Sequence, residues 1–110
     1  MQAGRLIETD SARTFADGIA VRIPVQDAFD IYAKGADRII AVTDDEVAEA
    51  MRLYYRATHN LAEGAGAAPL AALMQEKKVM SGRKIALILC GGNVDSEVFS
   101  QVLAGQTPKA

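Results

Sequence analysis

An unbroken apolar run that ends in two glycines constrains the fold of this chain more than any other sequence feature. Residues 85–89, Ile-Ala-Leu-Ile-Leu, are apolar at every position and lead directly into Cys90-Gly91-Gly92-Asn93. A short continuous apolar run is typical of a buried parallel strand that is covered on both faces. A second run, Ile-Ile-Ala-Val at residues 39–42, has the same character. The sequence therefore predicts two buried strands, and Asn93 is predicted to cap a helix after the second one.

Helical patterns surround these two runs. Apolar residues at helical spacing follow Pro24, and Gly35 is the predicted C-cap of that helix. Thr43 and Glu46 have the spacing of a capping box, which marks the start of a second helix. Residues 61–66 form a small-residue turn into a third helix. The predicted apolar faces of the four helices are Val25, Ala28, Phe29 and Tyr32, then Val47, Ala50, Met51 and Tyr54, then Leu70, Leu73 and Met74, and last Val94, Val98, Phe99 and Val102.

The order helix, strand, helix, helix, strand, helix predicts an α/β fold with a helix-covered parallel sheet. Two strands are too few for such a sheet. Either further strands lie in residues 1–23, or the rest of the sheet comes from polypeptide that these 110 residues do not contain.

Composition excludes several classes of function. Twelve basic and fourteen acidic residues give a net charge of −2 without a basic cluster, which argues against a nucleic-acid partner. No apolar run reaches the length of a membrane span, and the amino terminus does not resemble a secretion signal. A single cysteine, Cys90, cannot form an internal disulfide and fits a cytoplasmic protein. One histidine and one cysteine far apart do not predict a metal site.

The junction after the second run is the strongest candidate for a ligand site. Ligands of open parallel sheets bind beyond the carboxyl ends of the strands, so Cys90 would lie where a cofactor lies. Glycines at positions 91 and 92 let the backbone approach a flat ring or a phosphate closely. A strand-Gly-Gly-helix junction is also common without any ligand. The residues alone therefore leave a cofactor site and a structural turn both open, and Cys90 itself could be a small buried apolar residue.

Four motifs, in one order, resemble the serine/threonine dehydratases and serine racemases. Thr14–Val21 is similar to their T-x-A-D-G-x-A-V segment, residues 44–52 to D-E-I-x-x-A-M-R, residues 63–68 to E-G-A-G-A, and Cys90–Asn93 to S/C-G-G-N. Together they cover most of the chain, from about residue 3 to about residue 103.

This resemblance implies the type II fold of pyridoxal-phosphate enzymes, with residues 1–110 as the carboxy-terminal segment of the large, cofactor-binding domain. It implies that Cys90 contacts the pyridine nitrogen of the cofactor, and that Gly91 and Asn93 belong to the same loop. Gly18 corresponds to a backbone position that lines the cofactor, and Glu63 to a carboxylate near the ring. Glu63 is equally an acid that a helix N-terminus would favour.

The family's cofactor-carrying lysine lies in a Ser-Phe-Lys type motif, and its phosphate loop is rich in glycine. Neither motif occurs in these 110 residues, and none of the five lysines has a matching context. The resemblance therefore implies no catalytic residue here and a complete enzyme that contains a further, amino-terminal segment or a second copy of the chain. That enzyme would bind an amino acid and eliminate water from threonine or serine, giving 2-oxobutanoate or pyruvate plus ammonia.

Two alternatives remain open. One is a fragment of a serine racemase, which shares every motif. The other is a non-catalytic α/β module that binds a phosphorylated small molecule or a partner protein.

Overall fold

The computed structural model describes residues 3–110. Its extents of 40 × 38 × 19 Å make it a flat slab, whose thin dimension equals about two helix diameters. The regular elements are a single 3₁₀ turn at Asp17–Ile19 and four α-helices: α1 Gln26–Gly35, α2 Asp44–Thr58, α3 Gly64–Gln75 and α4 Ser96–Leu103. Within the described residues, no helix is both long and apolar enough to cross a membrane.

Helix α2 begins where the sequence predicted. Thr43 Oγ1 accepts a hydrogen bond from the Glu46 N–H (3.2 Å), and a Glu46 carboxylate oxygen accepts one from the Thr43 N–H (2.7 Å), so the predicted capping box is confirmed. The helix ends at His59, which is left-handed (φ 57°) and donates its N–H to the Tyr55 carbonyl. The capping box fixes the first turn of α2, and the left-handed C-cap terminates the helix after Thr58.

Two predicted helix ends differ from the structure. Gly35 is the last residue of α1, and the C-cap is Ala36. Asn93 does not cap α4, which begins at Ser96 with Asp95 at its N-cap position. The Val94 N–H donates to the Gly92 carbonyl (3.1 Å), and this tight turn delays the start of the helix by two residues.

The core lies between α2, α3 and α4 and consists mainly of small side chains. Ala48, Ala67 and Ala71 are fully buried where α2 and α3 pack together. The predicted inner face of α2 is confirmed, since Val47, Ala50 and Met51 are buried. In α4, Phe99 and Val102 are buried. The largest fully buried side chains are Met51, Val47 and Val102, so the core is thin for a chain of this length.

The predicted sheet does not form among residues 3–110, none of which lies in a strand. Residues 39–42 and 85–89 lie outside the helices and in no strand, and no backbone–backbone hydrogen bond of the described chain involves either run. A strand exists only through pairing with a neighbour, and these two runs do not pair with each other. Residues 3–23 add no strand either, although the Thr9 N–H donates to the Arg22 carbonyl (3.1 Å). The first two residues of that predicted range lie outside the described residues.

The same two runs leave apolar side chains uncovered. Ile88 is 77% exposed and Ile39 is 62% exposed, whereas Leu89 packs against the core. Residues 85–89 were predicted to be covered on both faces, but in this structure only one face is covered. Clustered exposure of large aliphatic residues is typical of a surface that another polypeptide segment covers.

Candidate functional site

Three of the four sequence motifs meet at the start of α3. The Glu63 N–H donates to the Gly91 carbonyl (3.1 Å), which ties the turn before α3 to the loop at residues 90–93. Gly18 lies against the same turn, because a Cβ placed on it would be 2.9 Å from the Ala65 Cβ. The structure therefore brings together Gly18, Glu63 and Gly91, which are far apart in sequence.

Close packing at this junction requires glycine. A Cβ on Gly91 would overlap the Glu63 carboxylate, and a Cβ on Gly66 would be 2.6 Å from the Gly91 carbonyl oxygen. Real Cβ atoms do not approach so closely, so a side chain at Gly66 would push the backbone of the two segments apart, whereas one at Gly91 would displace the flexible Glu63 carboxylate. The loop is thus held flat against α3, with bare backbone at Gly91 and at the exposed Gly92.

Glu63 has a carboxylate that is free to meet a ligand. The residue occupies the N-cap position of α3, but its side chain makes no capping hydrogen bond. Among residues 3–110, no other side-chain hydrogen bond uses this partly buried carboxylate. A negative charge at a helix N-terminus is favoured by the helix dipole, so the helix-terminal and the ligand-contacting interpretations of Glu63 are compatible.

Cys90 and Asn93 lie on either side of the glycine pair. Both side chains are exposed. The alternative interpretation of Cys90 as a small buried residue is wrong for this structure, because the run that precedes it has no covering neighbour on one face. Asn93 shares a cleft with Glu63, whereas Cys90 does not line that cleft.

This cleft has a volume of about 300 Å³ and four walls. It is formed by the loop before the 3₁₀ turn, the start of α3, the segment leading into α4, and the last residues of the chain. Its lining residues are Thr14, Phe15, Asp17, Glu63, Gly64, Asn93, Val94, Asp95, Val98, Pro108 and Lys109. The sequence did not predict the contribution of Pro108 and Lys109, since no motif or periodicity marks the tail.

Hydrogen bonds fix two of these walls to α2. Thr14 Oγ1 donates to Asp44 Oδ1 (2.5 Å) and accepts from the Ala16 N–H (3.1 Å). In the carboxy-terminal tail, Thr107 Oγ1 donates to Asp45 Oδ1 (2.5 Å). A signal for the first pair was present, because Thr14 and Asp44 both lie in motifs that resemble the family. For Thr107 the sequence carried no signal.

The residues present suit one edge of a flat, ring-shaped cofactor. The absence of side chains at Gly91 and Gly92 lets the loop pack directly against the Glu63 carboxylate and the Leu61 carbonyl oxygen. Cys90 offers a neutral thiol, Asn93 an amide and Glu63 a carboxylate, which together can donate to and accept from ring substituents. Within the described part of the chain, no group of three or more histidine, cysteine or acidic side chains is arranged to hold a metal ion.

Sequence comparison identifies the relatives of this chain. The family model described as "Pyridoxal-phosphate dependent enzyme" matches residues 1–91. The L-threonine ammonia-lyase of Thermotoga maritima is 33% identical over 103 residues, which are 94% of this chain and 25% of that protein. The L-threonine ammonia-lyase of Geobacter sulfurreducens is 36% identical over 103 residues, which are 94% of this chain and 26% of that protein. The chain therefore spans about a quarter of the length of these two relatives.

Solved structures agree with the sequence comparison. A threonine deaminase from T.th. superposes with a TM-score of 0.78 at 34% identity, covering 86% of this chain and 34% of that one. Maize serine racemase superposes with a TM-score of 0.80 at 29% identity, covering 94% of this chain and 34% of that one. The resemblance seen in the four motifs is confirmed: this chain belongs to the family of pyridoxal-phosphate dependent enzymes.

Proposed function

We propose that these residues form the ring-nitrogen side of the cofactor site in a pyridoxal-phosphate dependent threonine/serine dehydratase. The observation that carries the proposal is the hydrogen bond from the Glu63 N–H to the Gly91 carbonyl (3.1 Å). It joins the two motifs to which the family resemblance assigns ring contacts. Relatives named L-threonine ammonia-lyase support the reaction class.

Each residue of the junction has a distinct task in this proposal. Cys90 offers the pyridine nitrogen a neutral hydrogen bond, and its thiol does not hold that nitrogen protonated as a carboxylate would. Gly91 and the backbone near Gly18 let the ring approach closely, while Asn93 and Glu63 lie beside it. When bound, pyridoxal phosphate supplies the electron sink that allows an amino acid to lose its β-hydroxyl group.

The base and the cofactor-carrying lysine come from another segment in this proposal. Lys34, Lys77, Lys78 and Lys84 are exposed and do not line the cleft; Lys109 lines it, but lies in the carboxy-terminal tail without the Ser-Phe-Lys type context of the family's lysine. That segment, or a second copy of the chain, would also pair with residues 39–42 and 85–89. The parallel, helix-covered sheet would then be complete, in a cytoplasmic enzyme. The unpaired backbone of both runs and the exposure of Ile88 support this arrangement.

A chimeric enzyme tests the proposed function. In the Thermotoga maritima L-threonine ammonia-lyase, the segment that aligns with this chain is replaced by residues 1–110. We expect the chimera to bind pyridoxal phosphate and to form 2-oxobutanoate from L-threonine, whereas the 110-residue chain alone forms none above a cofactor-only control. Circular dichroism and size-exclusion chromatography establish that the chimera has folded like its parent. A folded chimera that does not bind the cofactor contradicts the proposal.

Two alternative functions, a racemase and a non-catalytic module, predict different experimental results. Maize serine racemase superposes as well as the deaminase does, so racemisation is a second candidate. Chiral analysis of products from L-serine with the complete enzyme separates them: a dehydratase gives pyruvate, and a racemase gives D-serine. A non-catalytic module would bind neither amino acid, and pyridoxal phosphate bound to it would show no absorbance change when serine or threonine is added.

A further inference from the structure

The first turn of α2 bonds to two separate segments that contribute to the lining of the cleft. Asp44 accepts from Thr14, which lies in the wall before the 3₁₀ turn. Asp45, the next residue, accepts from Thr107 in the carboxy-terminal tail. Successive side chains on a helix point about 100° apart, so two neighbouring aspartates can each reach a different segment.

Both threonines lead directly into residues of the cleft. Thr14 lines the cleft itself, and its Oγ1 also accepts from the Ala16 N–H, so it shapes the turn that precedes Asp17. Thr107 is followed by the buried Pro108 and by Lys109, both of which line the cleft. A shift of either threonine therefore moves residues that face Glu63.

A second contact holds the tail from further along α2. Arg52 Nη1 donates to the Val102 carbonyl (3.0 Å) and to the Gln106 carbonyl (3.3 Å). Arg52 is held in turn by an ion pair with Glu49 (2.7 Å) on the same helix. The tail is thus tied to α2 at both ends of residues 102–107.

We propose that Asp44 and Asp45 are positioning residues that hold the two walls of the cleft at a fixed separation around Glu63. They act through Thr14 and Thr107 and need not touch a ligand. The importance of that separation for cofactor binding rests on the proposed function. The restraint of the two walls by Asp44 and Asp45 does not depend on the proposed function. The restraint and its effect on cofactor binding are therefore measured separately.

The threonines are the cleanest sites for substitution. Thr14→Val and Thr107→Val each remove one hydroxyl with little change of shape, and they leave the charges and the capping box of α2 intact. Thr14→Ser and Thr107→Ser restore the hydroxyl. Thr58→Val is the matched control, because the Thr58 hydroxyl donates to the Tyr54 carbonyl at the far end of the same helix.

Amide hydrogen exchange of the 110-residue chain tests the hold on the walls without any cofactor. We expect Thr14→Val to speed exchange about 5- to 10-fold in a peptide covering residues 14–20, and Thr107→Val to do so in one covering residues 104–110. Peptides from the middle of α2 and α3 should not change, and the serine variants should return to within about twofold of the wild type. Unchanged exchange in both walls overturns the proposal, as does a uniform increase through α2 and α3.

The affinity of the chimera for pyridoxal phosphate tests whether the separation of the walls matters for cofactor binding. Each valine variant should weaken pyridoxal phosphate binding by about 5- to 10-fold, with rescue by serine and no effect of Thr58→Val. If amide exchange in the wall peptides is faster but the affinity for pyridoxal phosphate is unchanged, Asp44 and Asp45 do not act as positioning residues. If even the wild-type chimera binds no cofactor, the proposed function fails, and the exchange result alone decides whether the aspartates hold the walls.

Discussion

The Glu63 carboxylate lies in the space that a side chain on Gly91 would occupy, while the Glu63 backbone N–H donates to the Gly91 carbonyl. Glu63 thus contacts Gly91 through both its backbone and its side chain. The contact aligns the loop at residues 90–93 with the N-terminus of α3, where a Cβ on Gly66 would be 2.6 Å from the Gly91 carbonyl oxygen.

Gly66→Ala should therefore destabilise the junction by about 1–3 kcal/mol, because the overlap is with backbone that has little freedom to move, whereas Gly91→Ala should cost less because the Glu63 carboxylate can turn away. Denaturant unfolding of the chimera measures this cost, and cofactor titration should show weaker binding. Gly35→Ala is the matched control, since a Cβ at the last residue of α1 meets nothing within 4 Å. It should be neutral or slightly stabilising, because alanine favours a helix more than glycine does.

A double substitution tests whether the Glu63 carboxyl group is what opposes a side chain at Gly91. The atoms nearest to a Cβ on Gly91 all belong to the Glu63 carboxyl group, so Glu63→Ala should remove the overlap. Gly91→Ala should then cost less in the Glu63→Ala background than in the wild type, with a coupling energy of about 0.5–3 kcal/mol. If the effects of Gly91→Ala and Glu63→Ala on the free energy of unfolding are strictly additive, the contact between the Glu63 carboxyl group and Gly91 does not contribute to the stability of the junction.

Stability at acidic pH should depend on Glu46. The hydrogen bond from the Thr43 backbone, followed by that from the Gln75 side chain, lowers the pKa of this carboxyl below its ordinary value of 4.5. A carboxyl whose pKa is lowered by folding stabilises the protein above its unfolded-state pKa, and this contribution is lost as the pH falls through the folded-state value. Glu46→Gln should therefore flatten the decline in melting temperature below about pH 4.5.

Glu8→Gln is the control for that measurement, because Glu8 is exposed and lies outside the helices. It should leave the pH profile of the wild type unchanged. Equal profiles for Glu46→Gln and the wild type would show that the capping box does not depend on the charge of Glu46.

The 110-residue chain should associate through its uncovered apolar runs. Ile88 is 77% exposed beside backbone that makes no backbone–backbone hydrogen bond, and unpaired extended segments template the addition of further strands. Ile88→Lys should raise the monomer fraction in analytical ultracentrifugation, since a charge opposes pairing at such an edge. Ile31→Lys on α1, where Ile31 is 74% exposed, should have a smaller effect. A monodisperse wild-type monomer with a sharp cooperative melt would contradict this prediction.

Of the predicted helix ends, the start of α2 was predicted best, from a purely local signal. Thr43 and Glu46 are three residues apart, so their capping box depends on neither the rest of the chain nor its partners. The misplaced cap at Asn93 has a local cause as well, because the turn from Gly92 to Val94 competes with helix formation. The strand at residues 85–89 was different: its apolar pattern is real, but pairing requires a neighbour that no local pattern specifies.

The candidate site was predictable only through the motifs. Nothing near Gly91 in sequence shows that Glu63 lies against it, and the two were associated because both resemble positions in one family. The family pattern does not extend to the tail, so Thr107 and Lys109 were missed even though Lys109 lines the cleft with Glu63. Contacts between distant segments follow from the packing of α2 against α3 and α4, which the sequence does not specify residue by residue.

Substitutions at Cys90 in the chimera test the most informative residue of the proposed site. If the thiol meets the pyridine nitrogen, Cys90→Ser should retain most of the threonine deamination rate, because a hydroxyl offers the same neutral hydrogen bond. Cys90→Asp should lose most of the rate, since a carboxylate would hold the nitrogen protonated and would place a charge in a partly desolvated site. Cys90→Ala removes the hydrogen bond and should shift the absorption band of the bound cofactor.

The opposite order of effects would assign Cys90 to packing alone. A packed cysteine predicts that alanine is tolerated with an unchanged cofactor spectrum, while serine lowers the melting temperature by burying a hydroxyl. Ser81→Asp, at an exposed turn before the apolar run, controls for the added negative charge and should leave both rate and spectrum intact. If serine and alanine at position 90 change only the melting temperature, Cys90 does not contact the ring nitrogen, and the role that the family resemblance gives it does not apply to this chain.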